Sequence, residues 1–361
     1  MKMEANLNVI PDIHDNVSRG SRPLPELLPL VSVIITTYGE CSGLSRAIDS
    51  VLRQDYGNIE LIVVDDNGNC GEFREPTEAI MRNYESVGVA YIKHRENKNG
   101  SAARNTGISY ARGTYVSFLD NDDFMLTKRV SNAVRQLEES SASAAFCDVL
   151  LISKGMLSRV YRLDKPYLTW KDLLYSSECM GTGSNIFLRR SALNDTGLFD
   201  TSFRRNQDVE YMLRFLLRHE SVCIHSLDLV KSESGTSNEQ TYDAYVQTKR
   251  HFDEKFKDVI AMLDKDDETR RLVGREQELL FRAIRDGNLS KAEISLSKLK
   301  ELGHSVSRAS EMLTRARCKK GRALVLVEML VRKARHLKVL NQLKPSVRKE
   351  IETLASCEPC R

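Results

Sequence analysis

Short β-rich runs alternate with stretches of helical periodicity between residues 30 and 120, and this alternation is the strongest constraint on the fold. The predicted strands are Val31–Thr36, Ile59–Val64, Val87–Lys93 and Thr114–Leu119, and the predicted helices are Ser42–Gln54, a segment ending near Tyr84, and Ser101–Arg112. Strands that alternate with helices of about 10–15 residues indicate βαβ units joined into a parallel sheet. The sequence therefore predicts an α/β protein with a mostly parallel sheet flanked by helices.

Carboxylates stand where two of these predicted strands end. Asp65 and Asp66 follow the second strand, and Asp120, Asp122 and Asp123 follow the fourth. Open parallel sheets bind their ligands beyond the carboxyl ends of the strands. We therefore expect these acidic side chains to belong to a ligand site.

The segment Asp120–Asp123 predicts a bound cation. Three carboxylates within four positions repel one another unless a cation lies among them, and Mg²⁺ and Mn²⁺ bind carboxylate oxygens together with phosphate oxygens. The alternative is an acidic turn that caps a helix beginning near Leu126. We favour the cation because an acidic pair also ends an earlier strand, and because two basic residues, Lys98 and Arg104, lie between the two acidic segments.

Periodicity and charge divide the chain into three predicted parts. Residues 1–29 show no sustained period and indicate a tail or linker, residues 30–245 form the α/β domain, and residues 246–361 form a basic, mainly helical region. From Arg271 onward there are 21 Lys and Arg residues and 10 Asp and Glu residues, a net charge of +11, whereas the whole chain carries +4. The basic, Leu-rich stretch Arg308–Lys344 suits an anionic membrane surface, or packing against the α/β domain or a second copy in a homodimer. Nucleic acid is disfavoured as a partner, because aromatic residues are nearly absent after Phe281.

The sequence also favours a cytoplasmic location. No run approaches the ~20 apolar residues that a membrane-spanning helix needs, and the first residues lack the apolar region of a signal peptide. The 8 cysteines are scattered, as is usual for reduced thiols, and the pair Cys357 and Cys360 has no second pair to complete a zinc site. We expect a cytoplasmic protein, peripheral on the inner face of the membrane if the basic stretch binds lipid.

Three segments carry a family resemblance. VSVIITTYGECSGLSRAIDSVLRQDYGNIELIVVDDNG, NGSAARNTGISYARGTYVSFLDNDD and GTGSNIFLRRSALNDTGLFDTSFRRNQDVEYMLR resemble the family 2 glycosyltransferases of the Rossmann-like GT-A fold, over about residues 30–240. The resemblance implies inverting transfer of a hexose or N-acetylhexosamine from a UDP-sugar to a glycan or lipid-linked saccharide hydroxyl. It further implies dependence on Mn²⁺ or Mg²⁺ and a place in bacterial polysaccharide synthesis, such as that of O-antigen or capsule.

The resemblance also implies roles for the donor-side residues. Thr36 and Tyr38 would line the nucleobase site, with Tyr38 stacking on uracil, and Asp66 would accept a hydrogen bond from the uracil ring N–H. Asp122 would bind the metal ion that bridges the diphosphate. The other implied donor-site residues are Glu40, Arg104, Asp120 and Asn121, with Asp123 and Lys98 as further candidates. Without the resemblance, Tyr38 would be interpreted as a half-buried core aromatic residue.

On the acceptor side, the resemblance assigns the catalytic base to Asp208 and makes Glu210 a second candidate for acceptor binding. The sequence departs from the family pattern at Gln207, where an acidic residue is usual. The alternative for Asp208 is an acid that stabilises a helix N-terminus through the helix dipole. A second departure is the segment VKSESGTS, in which Lys231 and Glu233 replace the usual Arg-x-His; Lys231 would face the diphosphate and Glu233 is a weak candidate metal ligand.

Two other functions fit parts of the pattern. A non-catalytic nucleotide-sugar or glycan-binding module would keep the nucleotide site and lose the base, and the presence of both Asp122 and Asp208 disfavours it. A sugar nucleotidyltransferase has a similar core but usually carries a glycine-rich phosphate loop after its first strand. The corresponding segment, TTYGECSG, has neither G-x-G-x-x-G nor a Walker motif.

Overall fold

The computed structural model describes residues 28–153, 156–176, 180–233, 240–306, 314 and 338–355. In this part of the chain the strands are β1 (Val31–Thr37), β2 (Ile59–Asp65), β3 (Ala90–Lys93), β4 (Tyr115–Asp120), β5 (Phe124–Met125), β6 (Ala144–Ser153), β7 (Met156–Tyr161), β8 (Phe187–Arg189) and β9 (Ser221–Glu233). The helices are α1 (Leu44–Leu52), α2 (Arg74–Arg82), α3 (Gly100–Tyr110), α4 (Arg129–Glu138), α5 (Trp170–Tyr175), α6 (Leu193–Thr196), α7 (Gln207–Leu216), α8 (Tyr242–Lys255), α9 (Lys257–Ile260), α10 (Lys265–Arg285), α11 (Leu289–Glu301) and α12 (Pro345–Ala355).

All of these strands join one mixed sheet in the order β3-β2-β1-β4-β8-β6-β9-β5, with β7 paired to β6. The first four are parallel, so the α/β prediction is confirmed. Beyond β4 the sheet is mixed: β8 runs antiparallel to β4 and β6, whereas β9 is parallel to β6.

The register of the parallel half brings the predicted site residues to one edge. Thr36 of β1 lies opposite Val64 of β2 on one side and Asp120 of β4 on the other. Asp65 of β2 in turn lies opposite Lys93 at the end of β3. The segments that follow these strands therefore emerge side by side at the carboxyl edge of the sheet.

Alternation along β1 explains why both faces of the sheet are covered. Side chains of successive strand residues point to opposite faces. Ile34 belongs to an apolar cluster that includes residues of α3, α5, α7 and α8, while Val33 and Ile35 belong to a second cluster with residues of α1 and α4. A strand buried on both faces is a continuous apolar run, as VSVIIT is.

One predicted strand is shorter than expected. The sequence predicts a strand from Val87, but β3 starts at Ala90 because Glu85–Val87 forms a turn of 3₁₀ helix. Gly88 follows with φ of +77°, a left-handed conformation that glycine adopts without steric cost and that ends the turn.

The helices after β9 pack on the α/β part at several places. Phe252 of α8 and Phe256 lie in the same apolar cluster as residues of α7. Ile351 and Leu354 of α12 pack with Phe124 of β5 in a third cluster. The domain boundary at residue 245 stays a prediction, and the apolar contacts cross it.

Some predictions fall outside the described residues. These are the tail at 1–27, Cys357 and Cys360, and most of the basic stretch Arg308–Lys344. Among the helices that the structure does describe, none combines the length and the apolar character needed to cross a bilayer.

Candidate functional site

Asp66 is held by three donors that follow β3. Its Oδ1 lies 2.6 Å from Nδ1 of His94 and accepts the backbone N–H of Lys98 at 2.8 Å. Its Oδ2 accepts the side-chain amide of Asn97 at 2.8 Å. Because a carboxylate only accepts hydrogen bonds, these partners fix its orientation, and the residue is buried. The side chain of Lys98 is exposed, so this residue contributes its backbone here.

The neighbouring Asp65 has a structural role. It is fully buried and forms an ion pair with Arg74 at 2.7 Å. It also accepts hydrogen bonds from the Tyr91 hydroxyl at 2.5 Å and from Asn67. Asn67 then accepts the backbone N–H of Gly39 at 2.8 Å, which ties the loop after β1 to the end of β2.

Tyr38 stands in that loop with 62% of its surface exposed. A core aromatic residue would be covered, so the alternative reading of Tyr38 as a half-buried packing residue is wrong. Thr36, at the end of β1, is partly buried beside the loop. The backbone N–H of Asp66 donates to the Thr37 carbonyl at 2.9 Å, so Thr36 and Tyr38 flank a residue that is hydrogen-bonded to Asp66.

The Asp120–Asp123 turn rests directly on the start of α1. The Asn121 side-chain amide donates to the Thr37 hydroxyl at 3.1 Å and to the Glu40 carbonyl at 2.9 Å. Gly43 makes the approach possible, because a Cβ there would stand 2.6 Å from the Asn121 carbonyl oxygen. The Glu40 carboxylate is exposed and accepts a hydrogen bond from Ser42. Glu40 and Asn121 thus connect the turn to the loop that carries Tyr38.

The carboxylates of the turn differ in their surroundings. Asp123 is buried and accepts hydrogen bonds from Ser184 at 2.6 Å, from Thr182 at 3.0 Å and from the backbone N–H of Ser232 at 3.0 Å. These donors occupy both of its oxygens, so Asp123 holds the turn in place. The side chain of Asp122 is partly buried, and apart from the backbone N–H of Asp122 itself no donor to this carboxylate is found among the described residues.

Burial and mutual repulsion raise the pKa of both carboxyls. For Asp122 the largest cause is burial, followed by the charges of Asp123 and Asp120. For Asp123 it is burial, followed by Asp120. The charge of Lys231 opposes both shifts, and its Nζ donates to the carbonyl of Gly181 at 3.3 Å, so this lysine lies close to the turn. The side chain of Glu233 lies outside the described residues.

Arg104 connects the end of β4 to the start of α7. Its Nη2 donates to Asp120 Oδ1 at 2.7 Å and its Nη1 to Gln207 Oε1 at 2.9 Å. The Nε of Arg104 is buried without a hydrogen-bond acceptor among the described residues. A buried N–H without an acceptor costs about 1–3 kcal/mol. Two of the five N–H donors of Arg104 make these hydrogen bonds, and the guanidinium places a positive charge at the Asp120 edge.

Asp208 lies next to this pair, in the first turn of α7. A Cβ on Gly183 would stand 3.4 Å from Asp208 Oδ2 and 3.5 Å from Arg104 Nη2. Asp208 and Arg104 therefore flank the small space that Gly183 leaves open. Apart from a contact with the backbone N–H of Val209, the structure gives the Asp208 carboxylate no hydrogen-bond partner in the described chain.

Glu210 does not reach the site. It is fully buried, and its carboxylate pairs with Arg214 at 2.5 Å and with Lys255 at 2.7 Å. An acid paired in this way is unavailable to an acceptor, so the candidate role for Glu210 is wrong and the residue is structural. The reason is helical geometry: Glu210 lies two positions after Asp208 and faces the opposite side of α7.

Sequence reasoning missed the residues that support the site. His94 and Asn97 hold Asp66, Thr182 and Ser184 hold Asp123, and Gln207 binds Arg104. The pairing of β3 with β2 was a usable signal for the first two, since residues after neighbouring parallel strands emerge together. No local pattern marks the Thr182 and Ser184 contacts, which span about 60 positions.

Comparison with known sequences agrees with this geometry. The family model for glycosyl transferase family 2 matches residues 32–197, which include β1 to β4 and the Asp120–Asp123 turn. Residues 32–197 are thus similar to the glycosyl transferase family 2 domain. The chain is 30% identical over 213 residues to an uncharacterised glycosyltransferase of Rickettsia typhi, covering 56% of this chain and 64% of the relative. The chain thus spans less than two thirds of that relative's length.

A further relative and two solved structures are similar to this chain. WfaP of Escherichia coli, a UDP-Glc:alpha-D-GlcNAc-diphosphoundecaprenol beta-1,3-glucosyltransferase, is 25% identical over 203 residues, covering 56% of this chain and 76% of WfaP. S. aureus TarS 1-349 in complex with UDP-GlcNAc superposes with a TM-score of 0.52 at 12% identity, covering 77% of this chain and 93% of that one. The mannosyltransferase PcManGT of Pyrobaculum calidifontis, in complex with GDP-Man and Mn²⁺, gives 0.50 at 18% identity, covering 86% and 85%. These likenesses establish the GT-A fold.

Proposed function

We propose that the protein is an inverting glycosyltransferase that moves a hexose or N-acetylhexosamine from a UDP-sugar to a saccharide or lipid-linked saccharide hydroxyl, in bacterial polysaccharide synthesis. The observation that carries the proposal is the meeting of Arg104, Asp120 and Asp208 around the space beside Gly183. Arg104 would supply a positive charge for the diphosphate, Asp120 a carboxylate that binds the sugar, and Asp208 a carboxylate that acts as the catalytic base. The names of WfaP and of the TarS complex, which specify UDP-sugars, support the choice of donor.

The nucleobase would bind between Tyr38 and Asp66. The exposed ring of Tyr38 offers a stacking surface, and the oriented carboxylate of Asp66 accepts a ring N–H. A buried charged acceptor discriminates strongly, because a base that lacks the matching donor leaves the charge unpaired. Uracil and guanine both carry ring N–H groups, so the GDP-Man bound by PcManGT makes GDP-sugars the necessary comparison.

The residues of the turn fit a Mn²⁺ or Mg²⁺ ion. The described residues hold no preformed group of three or more His, Cys, Asp or Glu side chains around a metal position. Mg²⁺ is usually held by one or two carboxylates together with substrate phosphates, so a preformed cage is not required. Asp122 is the carboxylate that would hold the ion, because both oxygens of Asp123 already accept hydrogen bonds from Thr182, Ser184 and Ser232. When bound, the ion supplies positive charge to the departing diphosphate.

The transfer itself is a single displacement. Asp208 takes the proton of the acceptor hydroxyl as its oxygen bonds to the anomeric carbon, and the bond from that carbon to the UDP oxygen breaks on the opposite face. The electron pair leaves with UDP, whose added negative charge is stabilised by the positive charge of Arg104. General-base assistance of this kind contributes about 10²–10⁴-fold.

A donor screen tests the proposal. Nucleotide release is measured with UDP-glucose, UDP-galactose, UDP-GlcNAc and GDP-mannose, with and without Mn²⁺ and a saccharide acceptor. We expect release from a UDP-sugar that depends on the cation and rises with acceptor. Release from GDP-mannose alone would overturn the assignment of uracil as the nucleobase of the donor. Release from none of the donors would overturn the enzymatic function. We extend the proposal to neither membrane contact nor a dimer, because most of Arg308–Lys344 lies outside the described residues.

A further inference from the structure

One face of α8 packs against the segment that leads into Asp208. His251 lies 3.3 Å from the Ser202 hydroxyl, and its ring is 4.3 Å from the ring of Phe203. Phe252 and Phe256 lie in the apolar cluster that also holds Phe203 and residues of α7. These α8 positions and Lys255 are spaced as one side of a helix. They lie well beyond residue 197, where the family match ends.

Lys255 connects two carboxylates on either side of Asp208. Its Nζ lies 2.7 Å from Glu210 Oε1 and also contacts the carboxylate of Asp200. The ammonium group stands 5.1 Å from the centroid of the Phe203 ring. One side chain of α8 thus contacts both ends of the segment from 200 to 210, and Asp208 lies within that segment.

The charges make this connection strong. Glu210 is fully buried, and a buried carboxylate is tolerated only when it is paired and hydrogen-bonded. At Asp200, burial tends to raise the pKa, but hydrogen bonds from Lys255 and Ser202 outweigh it and lower the pKa to about 2. Asp200 is therefore charged at neutral pH and attracts Lys255, which also pairs with Glu210.

The opposite side of the segment is fixed to α3. Asn105 exchanges two hydrogen bonds of 2.8 Å with the backbone of Phe199, and Asn99 donates to the carbonyl of Thr201 at 3.0 Å. Helix α3 also carries Arg104. The segment that presents Asp208 is therefore held between α3 on the donor side and α8 on the other.

We infer that Lys255 is a positioning residue for sugar transfer, which through Glu210 and Asp200 sets the distance between Asp208 and the acceptor hydroxyl. This inference rests on the proposed function. Simple neutralisation of Glu210 does not require Lys255, because Arg214 on the same helix already pairs with that carboxylate. The additional contact of Lys255 joins α7 to the preceding loop, so its loss should shift Asp208 while α7 stays folded.

The test compares three variants of the full chain. Lys255→Met removes the charge, and Lys255→Arg keeps it. Lys249→Met is the matched control, because Lys249 lies on the same helix but faces Glu278 of α10 at 3.7 Å. A 1 Å misplacement costs on the order of 10²-fold in rate. We expect Lys255→Met to lower kcat by about 10–100-fold with donor KM within about threefold, Lys255→Arg to recover most of the rate, and Lys249→Met to keep the wild-type kcat.

Amide hydrogen exchange without substrate gives a readout independent of activity. In Lys255→Met, exchange of residues 200–210 should rise about tenfold or more, while β1 to β4 keep wild-type protection. Unchanged exchange there, or a kcat of Lys255→Met equal to that of the control, overturns the inference. If the wild-type protein releases no nucleotide, the proposed function fails, and the exchange data alone decide whether Lys255 orders the segment.

Discussion

Substitution of Gly43 tests how tightly the Asp120–Asp123 turn is supported. The backbone of Gly43 has φ of −85° and ψ of −14°, which alanine adopts without strain. A Cβ there would, however, stand 2.6 Å from the Asn121 carbonyl oxygen and 2.9 Å from the Asp122 Cα. Ordinary contact begins at 3.4 Å, so the turn or the start of α1 must move by about 0.8 Å. Such overpacking costs about 1–3 kcal/mol, and a shift near 1 Å at reacting groups costs on the order of 10²-fold in rate.

We therefore expect Gly43→Ala to lower the free energy of unfolding by about 1–3 kcal/mol, to weaken the Mn²⁺ dependence of UDP binding and to reduce kcat/KM by about 10–100-fold. Gly57→Ala is the control, because a Cβ at Gly57 has no atom within 4 Å. Denaturation curves, calorimetric UDP titrations at several Mn²⁺ concentrations and nucleotide release measure the three quantities. A destabilised Gly43→Ala protein with wild-type metal response and turnover would refute the reasoning, since the helix would then have absorbed the whole displacement.

Four further results are expected. Asp122→Ala should abolish turnover, and full activity of that variant in excess EDTA would contradict the metal role. Asp208→Asn should leave UDP-sugar binding within severalfold and lower kcat by about 10² or more; lost binding with an intact kcat would place the base elsewhere. Burial and three neighbouring guanidinium groups lower the pKa of Lys249 to about 7, below about 10.4 in the unfolded chain. The folded state then binds fewer protons between these values, so stability should rise with pH in that range, and Lys249→Met should flatten the rise between pH 7 and 9. A soluble chain ending near Asp264 should still bind UDP, which calorimetry would detect.

Local patterns were sufficient to predict the parallel half of the sheet. Buried strands read as continuous apolar runs, and carboxylates follow two of them directly, so the segments Asp65–Asp66 and Asp120–Asp123 were placed at the carboxyl edge of the sheet without any tertiary information. The start of β3 was predicted too early, because the left-handed Gly88 interrupts an apolar run that looks continuous. Periodicity reports which residues are apolar and does not report the dihedral angle of one residue.

The roles of Glu210 and Asp123 depended on residues far away in sequence. Glu210 has a normal pattern for the first turn of a helix, and its complete burial and its pairing with Lys255 of α8 depend on packing between distant segments. Asp123 looks like its neighbour Asp122 until Thr182 and Ser184 occupy its oxygens. Sequence spacing therefore selected the acidic cluster, but it did not show that Asp123 accepts hydrogen bonds from distant side chains whereas Asp122 does not.

The helices after β9 form polar contacts with the α/β part at three places. Lys255 of α8 pairs with Glu210, two positions after Asp208. Asp267 of α10 accepts a hydrogen bond from Tyr175 of α5. Glu350 of α12 accepts hydrogen bonds from the backbone and hydroxyl of Thr127, a separation of 223 positions.

These contacts have different consequences for the reaction. Thr127 lies four residues after Asp123, so α12 supports the turn from behind, and Phe124 of the intervening strand packs against that helix. A loss of α12 should therefore be felt first in the metal response, through the turn. A loss of the α8 contact should be felt first in kcat, through Asp208. Because the Asp66 contacts that orient the nucleobase acceptor come from residues 94–98, nucleotide binding should be the property least sensitive to either change. Progressive C-terminal shortening can be followed by measuring the metal response, kcat and nucleotide binding. If the metal response and kcat fall before nucleotide binding does, the C-terminal helices support the reaction and do not merely cover the domain.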